Sequence, residues 1–204
     1  YITASGGPFL KKNIKSFKKI TPSEALKHPK WSMGKKISID SATLMNKIFE
    51  LLEAERIFSY PLSIFKIIIH PQSLIHAIVK YKNGLTKFLY HEPNMSVPIS
   101  NALFGDETSK IRGLKNRPVD LRKIEFFNVN KKKFPAIELI PSLSKYPSTP
   151  IILNAANEIL VDQFLKKKIR FNGIIEQLFA VLKDKNYKKY AIQKPINLKK
   201  IYAI

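Results

Sequence analysis

Three polar side chains that can act on a metal or a substrate lie close together in SIDSATLMNKIFELLEAERIF, residues 38–58. Asn46 and Glu50 are four residues apart and Lys47 and Glu50 are three apart, so on a helix their side chains meet on one face. A carboxylate is a ligand for Mg²⁺ or Mn²⁺, and a lysine ammonium can neutralise the oxygens beside it. A single carboxylate is still an incomplete metal site, because these cations take several oxygen ligands.

The same spacing is also typical of an ordinary amphipathic helix. At about 100° per residue, apolar side chains of this segment cover one broad arc and the polar ones share the remainder. The sequence predicts one helix over roughly 42–58, with Asp40 or Ser41 as the N-cap that accepts an otherwise orphan backbone N–H. Helical phase by itself therefore favours a solvated helix face with an ordinary Lys–Glu pair, and a group of ligands is the alternative that needs support from other segments.

The elements around this helix indicate an α+β first half and a helical second half. A strand end at 1–3 and strands at 63–69, 74–81 and 85–91 are predicted, the last two joined by an Asn83-Gly84 turn. Helical patterns follow at 97–104, 135–144, 150–167, 173–184 and 196–202. We predict an α+β domain (1–104) with a mostly antiparallel or mixed sheet, a linker (105–132) and a small C-terminal helical bundle (133–204).

Composition narrows the function classes. The 204 residues include no cysteine, which excludes disulfides and thiolate metal sites, and no run of about 20 uncharged apolar residues that would span a membrane. The formal net charge of +21 is compatible with a basic nucleic-acid-binding module, which is the alternative function. However, lysine supplies 31 of the 36 basic residues, and the lysines are scattered without interleaved aromatic residues. Such a pattern favours compositional bias at exposed positions, so we expect no nucleic-acid partner.

Two further segments could contact a ligand. The Ser5-Gly6-Gly7 turn can present backbone N–H groups and a hydroxyl to a phosphate, or be a common tight turn. Trp31 and Met33 stand in a glycine-containing loop that could close over a ligand or act as a hydrophobic plug. The four histidines lack zinc-type spacing, which favours structural or surface roles for each.

Taken together, five segments resemble the 1-deoxy-D-xylulose 5-phosphate reductoisomerases: ASGGPF, HPKWSMGKKISIDSATLMNKIFELLEAERIF, HPQSLIHAIVKYKNG, EPNMSVPI and LNAANEI. The resemblance implies an NADPH-dependent oxidoreductase and isomerase that uses Mg²⁺ or Mn²⁺. Such an enzyme converts 1-deoxy-D-xylulose 5-phosphate to 2-C-methyl-D-erythritol 4-phosphate in the non-mevalonate isoprenoid pathway. It further implies a homodimer, an NADPH domain upstream of this chain, and a location in a plastid-type organelle of a eukaryote or the cytoplasm of a bacterium.

The resemblance also implies a role for individual residues. Glu50 is expected to bind the metal together with an upstream Asp-x-Glu pair that this sequence lacks. Lys47, Glu50 and His28 are the expected catalytic residues. The expected substrate-binding residues are Ser5, His28, Trp31, Ser41, Asn46 and Lys47, with His28 and Trp31 on a closing loop. The expected cofactor-binding residues are Met33, Gly34 and Met95.

Overall fold

The computed structural model describes residues 1–27, 33–110 and 124–204, which form two compact units. The first unit consists of Tyr1–Ser5 and Lys66–Asn128, and the second of Gly6–Phe65 and Val129–Ile204. The predicted domain bounds are 1–104, 105–132 and 133–204. They differ from these two units, which are defined by contacts within the fold, and they stay a prediction. Residues 111–123 of the predicted linker lie outside the described residues.

The first unit is built on a five-stranded sheet in the order β4-β3-β1-β2-β5. Its strands are β1 (Ile2–Ala4), β2 (Ile67–Ile69), β3 (Ile75–Lys80), β4 (Thr86–Tyr90) and β5 (Phe127–Asn128). β1 and β2 are parallel, with Ile2 opposite Ile67, whereas the other pairs are antiparallel. This mixed sheet confirms the predicted sheet type.

The hairpin between β3 and β4 forms where the sequence predicts it. Gly84 has a φ of +89°, the left-handed region that tight turns require and that glycine adopts without strain. The backbone N–H of Tyr81 donates to the Leu85 carbonyl at 2.8 Å and closes the turn. After the hairpin the first unit continues into α4 (Ser96–Phe104) and a 3₁₀-helix (Gly105–Lys110).

The second unit is helical. Its α-helices are α1 (Pro22–Ala25), α2 (Lys35–Thr43), α3 (Met45–Phe58), α5 (Ile140–Leu143), α6 (Thr149–Leu165), α7 (Phe171–Lys183), α8 (Tyr187–Ala191) and α9 (Leu198–Ala203). Three 3₁₀-helices accompany them: Ile14–Lys19, Leu62–Ile64 and Pro135–Leu139. In the described ranges 1–27, 33–110 and 124–204, no helix is long and apolar enough to cross a bilayer.

The core of the second unit lies between its longer helices. α2 packs against α6, α6 against α7, and α3 against the 3₁₀-helix at Pro135–Leu139. On α6, Leu153, Asn157 and Val161 are all at most 2% exposed, and their four-residue spacing makes one buried stripe. The other fully buried large side chains of this unit include Ile39, Met45, Ile48, Leu51, Phe164, Ile174 and Leu178. The helix that carries the polar trio is therefore packed against residues far along the chain.

The prediction of one helix over 42–58 is wrong in its first turns. The chain forms two helices that meet at Leu44, which has a φ of +71° and is 1% exposed. The hydroxyl of Thr43 donates back to the carbonyls of Ile39 and Asp40, and it also accepts from the Met45 N–H at 3.4 Å. This hydroxyl competes with regular helical hydrogen bonding at the junction. Asp40 and Ser41 consequently lie inside α2, and neither is the predicted N-cap.

A threonine three residues before a glutamate, as in Thr21-Pro22-Ser23-Glu24, is the sequence pattern of a capping box, and the short helix α1 has one. The Thr21 hydroxyl accepts from the Glu24 N–H, and the Glu24 carboxylate accepts from the Thr21 N–H at 2.8 Å. The Lys12 ammonium also lies 2.6 Å from Glu24 Oε1. The hydrogen bond from Lys12, followed by those from Thr21, lowers the pKa of the Glu24 carboxyl from 4.5 to about 2. This cluster joins the lysine-rich segment before α1 to the helix start.

Candidate active site

The polar trio of α3 forms one connected group around Glu50. The Lys47 ammonium donates to both carboxylate oxygens of Glu50, each at 2.7 Å, and Asn46 Nδ2 donates to Oε1 at 2.6 Å. The Lys47 and Glu50 side chains are 21% and 33% exposed, so the group is accessible from solvent. The structure therefore brings together the three residues that the spacing places on one helix face.

The Glu50 carboxylate suits one position in a divalent-metal site. Hard cations such as Mg²⁺ bind carboxylate oxygens and usually keep several further oxygen ligands. Within residues 1–27, 33–110 and 124–204, no group of three His, Asp or Glu side chains is placed to hold a metal ion. Glu50 accordingly fits as one ligand whose companions come from elsewhere, and Lys47 beside it limits the negative charge of the site.

The glycine turn approaches the end of α2 at the backbone of Ser41. Gly6 and Gly7 have φ values of +83° and +63°, both in the left-handed region. A Cβ atom built at Gly7 would lie 2.9 Å from the Ser41 carbonyl oxygen and 3.2 Å from Ala42 Cα. Only glycine fits here without a shift of the backbone. Sequence reasoning missed this contact between Gly7 and Ser41. The turn thereby lies against the backbone of Ser41, a predicted substrate-binding residue.

The other predicted site residues are distributed over both units. In the second unit, Met33 is half-buried and the exposed Gly34 occupies the N-cap position of α2. In the first unit, Ser5 follows β1, and Met95 is the N-cap residue of α4 and is 54% exposed. His28 and Trp31 lie outside the described residues. The roles expected for these residues stay predictions.

The described histidines occupy structural positions in the first unit. His70 is fully buried, and its Nε2 accepts from the Leu74 N–H at 3.1 Å. Nδ1 lies 2.9 Å from the Glu125 carbonyl oxygen, so this nitrogen carries the proton. The rings of His76 and His91 stack with centroids 3.6 Å apart. These arrangements match the structural roles favoured by the spacing.

Sequence reasoning missed a buried ionic contact between α2 and α6. Asp40 is 2% exposed and receives hydrogen bonds from the Lys36 ammonium at 2.7 Å and from Asn157 Nδ2 at 2.8 Å. The available signal was the position of Asn157, which interrupts the apolar stripe of Leu153 and Val161. Because 117 residues separate Asp40 from Asn157, no local pattern pairs them.

Comparisons with known proteins match both halves of the chain. A family model described as 1-deoxy-D-xylulose 5-phosphate reductoisomerase C-terminal domain matches residues 1–58, and one described as DXP reductoisomerase C-terminal domain matches residues 91–204. A reductoisomerase of Pelagibacter ubique is 43% identical over 98% of this chain and 52% of its own length. Another, of Wolbachia pipientis, is 44% identical over 90% of this chain and 48% of its own length.

Solved structures of similar proteins agree with these sequence matches. A DOX-P reductoisomerase in complex with NADPH, fosmidomycin and magnesium aligns with a TM-score of 0.90 and 37% identity, over 99% of this chain and 51% of that one. The reductoisomerase of Zymomonas mobilis in complex with NADPH aligns with a TM-score of 0.86 and 37% identity, over 99% of this chain and 51% of that one. The chain thus spans about half the length of the relatives it matches.

Proposed function

This chain belongs to the 1-deoxy-D-xylulose 5-phosphate reductoisomerase family, and from that membership we propose that it is the catalytic and C-terminal part of such an enzyme. The proposed reaction converts 1-deoxy-D-xylulose 5-phosphate to 2-C-methyl-D-erythritol 4-phosphate with NADPH and a divalent metal, Mg²⁺ or Mn²⁺. The proposed NADPH domain and the remaining metal ligands belong to an upstream part of the polypeptide. The expected location remains conditional: plastid-type organelle in a eukaryote, cytoplasm in a bacterium.

The arrangement of Asn46, Lys47 and Glu50 is the observation that carries this proposal. The group consists of a solvent-accessible carboxylate, an ammonium 2.7 Å from it and an amide 2.6 Å from it. These are the kinds of group that would bind a metal and the oxygens of an anionic sugar. Glu50 would hold the metal, and the metal would polarise the substrate oxygens it contacts. Family membership and this geometry together favour a reductoisomerase over the nucleic-acid-binding alternative.

Lys47 has two partners available in the proposed site. In the structure its ammonium is paired with the Glu50 carboxylate. A dication on Glu50 would repel the ammonium, so Lys47 would turn its three N–H donors toward the substrate oxygens. Asn46 Nδ2 and the Ser41 hydroxyl would supply uncharged donors to the phosphate. Lys47 would then pass from neutralising a carboxylate to stabilising the negative charge of the substrate.

The remaining predicted residues complete the proposal. Ser5 and the backbone N–H groups of the glycine turn would contact the phosphate, as the family resemblance implies. His28 and Trp31 would close over the substrate and exclude water from it. Met33, Gly34 and Met95 would contact NADPH, which supplies the hydride for the reduction. Each of these roles is a proposal for the full-length polypeptide.

A spectrophotometric assay tests the proposed function. We expect the full-length polypeptide to oxidise NADPH only when both 1-deoxy-D-xylulose 5-phosphate and Mg²⁺ or Mn²⁺ are present, and to stop when the metal is chelated. A folded protein with no substrate-dependent oxidation would contradict the proposal. Nucleic-acid binding whose log K falls steeply with log salt concentration, without any dependence on metal or phosphosugar, would instead support the alternative.

We also propose a homodimer, formed through the β4 side of the first unit. β4 is an edge strand of the described sheet, and Phe88 and Leu89 on it are 52% and 57% exposed. Leu85 before the strand is 52% exposed, so apolar side chains are concentrated at an unpaired edge. Light scattering of the full-length protein should give twice the polypeptide mass, and Phe88→Lys should shift it toward the monomer. A wild-type monomer would contradict the proposal.

A further inference from the structure

A buried polar contact joins α2 to α6 one residue before Ser41. Asp40 on α2 is 2% exposed and Asn157 on α6 is fully buried. Asn157 Nδ2 donates to Asp40 Oδ1 at 2.8 Å, while the Lys36 ammonium lies 2.7 Å from Oδ2. Both carboxylate oxygens therefore have a donor, one from their own helix and one from a helix of the C-terminal half.

Stability alone is a poor explanation for this contact. Leu153 and Val161 flank Asn157 on the buried stripe of α6, so an apolar residue at position 157 would continue the core. Replacing buried ionic groups by packed apolar residues is often neutral or stabilising, because charges lose their hydration on burial. In addition, Asn157 Oδ1 has no hydrogen-bond partner in the described part of the chain. The contact would instead favour one placement of α2 against α6, since Asp40 Oδ1 keeps its donor only where Asn157 reaches it.

Two short routes lead from Asp40 to the start of α3. The first is the backbone: the Thr43 hydroxyl donates to the Asp40 carbonyl at 3.2 Å and accepts from the Met45 N–H at 3.4 Å. The second is Lys36, whose ammonium lies 5.2 Å from the ring centroid of Phe49 as well as against Asp40. Phe49 directly precedes Glu50, so both routes end at the helix that carries the trio.

We propose that Asp40, held by Asn157, is a positioning residue for the active site. The pair sets the orientation of the last turn of α2, and through the junction at Leu44 it sets the direction in which α3 presents Lys47 and Glu50. The buried hydrogen bond thus couples a helix of the C-terminal half to the catalytic face. This role rests on the proposed reductoisomerase function.

Two variants of the full-length enzyme test the role. Asn157→Leu removes the donor at similar volume, and Asp40→Asn keeps the shape but removes the charge that holds Lys36. We expect kcat/KM to fall by about 10–100-fold in each variant, the range seen when the groups that orient a site residue are removed. The double variant should lose little more than either single variant, because the two residues act as one unit.

A matched control separates positioning from general destabilisation. Thr149 is also fully buried on α6, and its hydroxyl is hydrogen-bonded to the Tyr187 hydroxyl of α8. Thr149→Val, like Asn157→Leu, removes a buried hydrogen bond from α6 to another helix. We expect it to lower the thermal midpoint without changing kcat/KM. A wild-type kcat/KM in Asn157→Leu would overturn the positioning role. So would the same loss of kcat/KM in Thr149→Val as in Asn157→Leu when the two variants have the same thermal midpoint.

Hydrogen exchange supplies a measurement that does not depend on activity. The proposal predicts faster amide exchange at the start of α3 in Asn157→Leu than in wild type, with no such change in Thr149→Val. Unchanged exchange at α3 in Asn157→Leu would overturn it. If the wild-type protein proved inactive, the proposed function would fail, whereas the exchange rates at α3 would still decide whether Asp40 and Asn157 orient that helix.

Discussion

Glu50→Gln is expected to lower kcat/KM for the NADPH-dependent reaction of the full-length enzyme by on the order of 10²–10³-fold, as removal of one preorganised electrostatic contact does. Glutamine keeps the length of the side chain but removes the negative charge that would hold a divalent cation. Lys47 also loses the negative charge of the partner that now lies 2.7 Å away. The Mg²⁺ concentration needed for half-maximal activity should rise together with the loss in rate. The measurement is NADPH oxidation over a series of Mg²⁺ concentrations.

Asp162→Asn is the matched control for this variant. Asp162 lies 2.8 Å from the Lys166 ammonium on α6, and the two side chains are 50% and 59% exposed, so the same chemical change removes an ordinary surface pair. Asp162→Asn should change the free energy of unfolding by less than about 1 kcal/mol, as expected for an exposed pair. Only Glu50→Gln should lose activity. Near-wild-type turnover of Glu50→Gln at low Mg²⁺ would contradict a metal role for this carboxylate.

Gly7→Ala is expected to destabilise the protein by about 2–4 kcal/mol, near the upper end of ordinary single substitutions. Two terms contribute. The φ of +63° disfavours any residue with a Cβ atom, by about 1–2 kcal/mol. The new Cβ would also lie 2.9 Å from the carbonyl oxygen of Ser41, a backbone atom that cannot rotate away. Denaturant unfolding measures the total loss of stability, and a raised KM for the phosphosugar would report displacement of Ser41.

Gly84→Ala separates the two terms. Gly84 has a φ of +89°, but a Cβ built there would meet no atom within 4 Å. This variant should show the backbone cost of about 1–2 kcal/mol without the contact with α2. Its KM for the phosphosugar should stay at the wild-type value. An equal loss of stability in both variants would show that the approach of Gly7 to Ser41 contributes nothing.

Features that depend on residues close together in the chain could be predicted from the sequence. The capping box at Thr21 and Glu24 closes over three positions, and the Asn83-Gly84 turn closes over two. The meeting of Asn46 and Lys47 with Glu50 follows from helical spacing alone. For the same reason, the order of the predicted helices and strands agrees with the structure even where their ends differ.

The break at Leu44 needed information that local spacing does not carry. The predicted single helix keeps the apolar periodicity through this position, and a leucine rarely adopts a left-handed conformation. In the structure, burial of Leu44 at 1% exposure offsets that backbone cost, and the Thr43 hydroxyl satisfies the N–H of Met45. Packing therefore overrode helical propensity, which moved Asp40 and Ser41 from a helix start into a helix interior.

The sequence by itself determined which side chains could do chemistry, their meeting on one helix face, and the family that the segments resemble. The tertiary structure decided which distant residues contact one another. Asp40 finds Asn157 across 117 residues, and Gly7 contacts Ser41 across more than thirty. Such contacts depend on how helices and turns pack, because a buried charge or a close backbone approach is stable only when a specific distant partner is in place. Residue spacing thus predicted that the three polar side chains of α3 meet, whereas only packing brought Asp40 to Asn157 and Gly7 to Ser41.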